Sequence, residues 1–151
     1  MQNVFDAQDA QEYINRINNL TPETQRKWGK MSVDQVLAHL NVAYDLTFTP
    51  EKFPKPSFIA KFLLSKFVKP KITNEIPYKP SLPTSPAFII ADERNFEEEK
   101  AKLIGNIQRV QQLGREAFEG KENINFGKMT AQGWNNMFAK HLNHHLDQFG
   151  V

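Results

Sequence analysis

Lys140-His141-Leu142-Asn143-His144-His145-Leu146-Asp147-Gln148-Phe149 ends a helical pattern that opens at Thr130 and runs through Trp134 and Phe138. Thr130 suits an N-cap. Trp134, Phe138, His141, His145 and Gln148 recur at three- and four-residue spacing, so they share one face of a helix over Thr130–Phe149. That face is aromatic as well as imidazole-bearing, which directs it into a core rather than at solvent. Its entry, Phe126-Gly127-Lys128-Met129-Thr130, has a counterpart in Trp28-Gly29-Lys30-Met31-Ser32. Ser32 and Gln35 make a capping-box pair, and Val36, His39, Leu40, Ala43 and Leu46 extend a helix over Ser32–Phe48. All 4 histidines follow one or other of these two entries.

Two further helices complete the set. Asp6 opens Asp6–Leu20, with Ala10, Tyr13, Ile14 and Ile17 on its apolar face. Asp92 is read as the cap of Asp92–Leu113, whose stripe is Phe96, Leu103, Ile104, Ile107 and Val110, and Gly114 follows as a stop. Most of the chain's 9 prolines lie between Pro50 and Pro86, where a long regular helix cannot persist. One proline-free window there, Ser57–Lys69, sets Phe58, Ile59, Phe62, Leu63 and Phe67 against Lys61, Lys66 and Lys69. Burying a large apolar side chain is worth ~1.5–3 kcal/mol, so Phe58, Phe62 and Phe67 are expected to lie on the other helices or on a dimer mate rather than on lipid. The fold class expected is all-α: a four-helix bundle with a long proline-rich crossover between helices two and three, residues 1–151 forming a single domain.

Composition narrows the function classes. With 19 basic and 17 acidic residues and no solidly basic helix face, the footprint of a nucleic-acid binder is missing. Cysteine is absent, so there is no disulfide framework and no protein thiolate to serve as ligand or nucleophile. The polar stretch Met1–Asp9 lacks the order of a signal peptide, and no apolar run approaches the ~20 residues of a membrane span. A cytoplasmic protein is expected.

The histidines carry the chemistry. His141 and His145, four apart, present two imidazoles on one helix face, with Cβ atoms roughly 5–6 Å apart. His39 lies on the inner stripe of its own helix beside the small Ala43, and completes three nitrogen ligands if the two helices are neighbours. Three neutral imidazoles suit zinc or another late first-row ion and leave a coordination position open, as catalytic sites require. His144 competes with His145, since three-residue spacing also serves. His145 is preferred because it and His141 straddle the centre of the face. Gln148 is placed to orient an imidazole or a bound water. No general base is evident: Asp45 and Asp147 lie off the inner faces, and the placement of Asp34 is open.

Through these two segments the chain resembles the DinB-like superfamily of metal-binding four-helix bundles. Within it, the chain looks most like a branch of unknown function with a Gly-Lys-Met entry and a Lys-His-x-x-His-His-x-x-Gln-Phe ending. The resemblance carries a metal triad onto His39, His141 and His145, and implies zinc or nickel and a homodimer. It also implies a small-molecule substrate, attacked with a low-molecular-weight thiol or with water. The expectation is therefore a metal-dependent thiol S-transferase or hydrolase whose pocket opens at the His39–His145 face. The alternative is a non-catalytic metal-binding or dimerising helical module.

Overall fold

Polar side chains at the helix starts set the element boundaries. The computed structural model describes residues 1–82 and 84–151; Pro83, within the proline-rich crossover, lies outside them. Helix α1 spans Ala7–Asn18, and the Asp6 carboxylate accepts hydrogen bonds from the backbone N–H groups of Gln8 and Asp9. Helix α2 spans Val33–Phe48, and Gln35 Oε1 accepts from the Ser32 N–H at 3.0 Å, as the capping box requires. The crossover holds α3 (Phe58–Leu63), a π turn (Leu64–Val68) and α4 (Lys69–Thr73). Helix α5 spans Phe96–Leu113. After it comes a two-residue antiparallel pair, β1 (Glu122–Asn123) with β2 (Gly127–Lys128), and then α6 (Ala131–Phe149). The Thr130 hydroxyl caps α6 by accepting from the Gly133 N–H at 3.1 Å. The protein is predominantly helical, of the all-α class.

Helix α2 is buried almost all the way round, from Val33 to Thr47, as befits a central helix. Helix α5 packs along it most extensively, α6 lies against it as well, and α1 rests on α5 and α6. The core is heavily aromatic. Tyr44 stacks on Phe138 with ring centroids 4.7 Å apart, Phe138 meets Trp134, and Phe118 fills the space beside Trp134. The Tyr44–Phe138 stack fixes α6 against α2 a little more than one turn beyond His39.

Two expectations need correction. Asp92 does not cap α5; Asn95 does, its Oδ1 accepting from the Glu98 N–H at 3.2 Å. The stretch around Asp92 is instead committed to the start of α2. The Arg94 N–H donates to Asp34 and the Asp92 carbonyl accepts from Gln35, which leaves Asp92 to pair with Arg94. Nor do Phe58, Phe62 and Phe67 cover the other helices, the first of the two places expected for them; within the chain they are 87%, 56% and 57% exposed, which leaves the dimer mate. The side of this segment that meets the core is Leu64, Val68 and Ile72. That stripe at four-residue spacing continues past Pro70, which sits in the first turn of α4, where a missing N–H is tolerated. Among the described residues, no helix is long and apolar enough to cross a membrane.

Candidate metal centre

His39, His141 and His145 converge. Each offers one ring nitrogen, and these nitrogens all lie within 4.8 Å of one another, an arrangement that can hold a metal ion. Helix α2 carries His39 on the side that faces α6, and successive turns of α6 carry the other two. The ring centroids of His39 stand 4.8 Å from those of His141 and 4.6 Å from those of His145.

The hydrogen bonds determine which nitrogens are available. His39 Nδ1 lies 2.7 Å from the Phe88 carbonyl oxygen. A carbonyl can only accept, so Nδ1 carries the proton and the Nε2 of neutral His39 presents a lone pair. Gln148 does the same for His145 by a longer route. The Trp28 carbonyl accepts from Gln148 Nε2 at 2.7 Å, which turns Gln148 Oε1 toward His145 Nδ1, also at 2.7 Å. His145 is thereby held with Nδ1 protonated and Nε2 free. His141 Nε2 lies 2.8 Å from His39 Nε2. Because that His39 atom bears a lone pair, His141 fills the role of donor in the metal-free protein.

Burial keeps the cluster neutral. Desolvation pushes the pKa of His39 down, that of His141 far down, and that of His145 to about 3, with neighbouring imidazoles adding to each. Neutral rings with two tautomers fixed are the donor set that a borderline ion such as zinc accepts. Two nitrogens on one tetrahedral zinc stand roughly 3.3 Å apart, so shifts on the order of 1 Å bring this set to one ion.

His144 stands outside the convergent set. It is half-buried beside His145, its ring 6.0 Å from that of Trp28 and 5.8 Å from that of Tyr78. None of the three aspartates weighed as a base belongs to the convergent set. Asp45 pairs with Lys102, Asp147 with Arg16, and Asp34 accepts from Ser32 and Arg94. A pocket was expected at the His39–His145 face. The cavity bordering the cluster, about 270 Å³, is lined by His144 and not by the three convergent histidines. Phe88 packs edge-on against His39 and His141 and covers that side.

Sequence reasoning missed the Phe88 and Trp28 carbonyls, because a backbone acceptor leaves no mark in residue type. Only the repeated Gly-Lys-Met drew notice to Trp28, without a role. Gly29 now has one. Its φ is +82°, and a Cβ there would stand 2.5 Å from Gln148 Nε2. The bare backbone lets the loop reach the end of α6.

No curated protein and no solved structure matches the chain. Residues 2–150 match the family described as protein of unknown function (DUF1569), and the chain belongs to that family.

Proposed function

We propose that the protein is a metal-dependent enzyme of the DinB-like type, its long helices making one four-helix-bundle domain with His39, His141 and His145 as the ligands of a divalent ion, zinc or nickel. The observation that carries this reading is the convergence of three neutral imidazoles from two helices, with no fourth His, Asp or Glu among the described residues in the set. Such an ion supplies Lewis acidity that brings a water or small thiol toward ionisation near neutral pH. The chain's own residues orient and shield. Phe88 and Gln148 fix the tautomers of His39 and His145, and the Phe88 ring keeps bulk water from one side. The reaction class is attack of a small thiol or water on a small electrophile, a thiol S-transferase or hydrolase. The absence of cysteine is in keeping with a thiol brought in as cosubstrate.

Elemental analysis of purified protein, followed by a panel of thiols, esters and lactones, tests this. Near-stoichiometric metal is expected, with turnover that needs the metal, rises with pH and disappears in His39→Ala. Metal-replete protein that turns over none of the panel favours a second reading, a non-catalytic metal-binding module that dimerises. That reading has its own support: His39 and His145 are buried, and the Phe58, Phe62 and Phe67 side chains lie exposed, as a homodimer contact would require.

A further inference from the structure

Lys140 is the most unusual buried group outside the histidines. It is 3% exposed, yet among the described residues no carboxylate lies within ion-pair distance of its ammonium. Its Nζ donates to the Lys71 carbonyl and to Asn74 Oδ1, both at 2.7 Å, and stands 4.5 Å from the centre of the Tyr78 ring. An ammonium has three N–H donors. Two are taken by neutral acceptors, and the Tyr78 ring lies against the group as well. Burying a cation without a counter-ion is unfavourable.

This lysine lines the cavity of about 270 Å³ together with Trp28, Tyr78, Asn143 and His144. Aromatic walls around Lys140 make a mostly apolar site with one buried charged anchor, the usual design of a small-molecule site; Met1, half-exposed, borders it too. Asp147 also borders the cavity, but its carboxylate is held by Arg16 at 2.7 Å, and two helical turns of α6 separate it from Lys140. The histidine cluster lies directly behind. The ring of His144 stands 4.9 Å from that of His145, so His144 is the wall between the cavity and the candidate metal centre.

We propose that this cavity binds a small organic carboxylate, its charged end on Lys140 and its apolar body between Trp28 and Tyr78. The occupant supplies the counter-charge that the fold omits. Its position one side chain from His145 makes it the substrate or cosubstrate end of the proposed reaction; that last link alone rests on the metal reading.

Phenylacetate and its neutral counterpart phenylacetamide separate charge from shape. Each is titrated into the full-length protein, metal-free and metal-loaded, by calorimetry and by the indole N–H shift of Trp28 in NMR. The expected result is saturable binding of the acid that moves the Trp28 signal, with the amide weaker by about tenfold or more, as for a lost charge-assisted bond. Lys140→Met should weaken the acid by a similar factor and leave the amide unchanged. If that variant does not fold, the acid–amide comparison in the unaltered protein decides. Equal affinity for the two probes, an unmoved Trp28 signal, or no binding of the acid at millimolar concentration would overturn the proposal. Acid binding by a protein that takes up no metal would remove the metal reading and leave the cavity standing; the reverse result would do the opposite.

Discussion

Replacing Gly29 with Ala should perturb the candidate metal centre without touching a histidine. The backbone effect comes first: φ at +82° forces an L-residue into the left-handed region, which costs roughly 1–2 kcal/mol. The steric effect follows, because the new Cβ falls 2.5 Å from Gln148 Nε2, and one of the two must move. Moving Gln148 breaks its bond to the Trp28 carbonyl and loosens the one it accepts from His145, each worth ~0.5–1.5 kcal/mol net. The sum is ~2–5 kcal/mol, or about 5–15 °C in Tm for a domain of this size. The site should suffer separately. Losing the partner that orients a ligating imidazole typically weakens metal affinity ~10–100-fold. Gly120→Ala is the matched control, with φ at +71° and nothing within 4 Å of a new Cβ. It should show the backbone loss alone, with unchanged metal affinity. Thermal scans of metal-free protein and competition titration against a chromogenic chelator measure both effects. Equal metal affinity in Gly29→Ala and Gly120→Ala would refute the idea that this loop orients His145 through Gln148.

His39→Ala should strip most of the metal from purified protein, whereas His144→Ala should leave the metal-to-protein ratio near that of wild type, since His144 lies outside the convergent set. Acid should destabilise the metal-free protein. The His145 pKa is about 3 in the fold against ~6.5 in the unfolded chain, so between those values the unfolded state binds more protons and stability falls as pH falls. His145 alone contributes about 1.4 kcal/mol per pH unit through that window, and nothing above it. Urea midpoints that stay flat from neutrality down to mild acid would contradict this. Light scattering should report a dimer, and Phe58→Ser with Phe62→Ser should convert it to monomer with little change in Tm, because both side chains are already exposed within the chain. An unchanged mass would remove this face as the contact.

The four long helices were legible because their caps and periods are local signals. Asp6, Ser32 and Thr130 all begin helices where the pattern placed them. Asp92 misled because two Asx residues lie three apart; Asn95 is the one that accepts from the Glu98 N–H, while the stretch from Asp92 to Arg94 is tied to the start of α2. The crossover hides its core-facing side for a similar reason. Phe58, Phe62 and Phe67 are the bulkier stripe, yet Leu64, Val68 and Ile72 are the ones that meet the core, and Pro70 hid the continuation. The convergence of the three histidines was readable from the spacing of His141 and His145 and from the inner position of His39. Gln148, the acceptor on the His145 ring, shares that face and was legible too; the Phe88 and Trp28 carbonyls were not, since a backbone acceptor leaves no mark in residue type.

Those carbonyls come from loops for a physical reason. Within a helix, a backbone carbonyl already accepts from the N–H four residues on and lies along the axis. A second bond to it suits a short side chain such as Thr47 on Ala43, whereas the longer imidazoles of α2 and α6 reach acceptors beyond their own backbone. His39 takes the carbonyl of Phe88 in the crossover, and His145 takes Gln148, itself held by the Trp28 carbonyl. His141 has no such partner among the described residues; its one ring bond is to His39. Two of the candidate ligands are therefore preset and the third is adjustable. For His141 to use Nε2 as a ligand atom, the proton there must move to Nδ1, a change of tautomer with no change of charge. Nitrogen-15 spectra of metal-free protein should show His39 and His145 protonated at Nδ1 and His141 at Nε2. Zinc should switch His141 alone. If His39 or His145 changes tautomer instead, Phe88 and Gln148 are not what holds them.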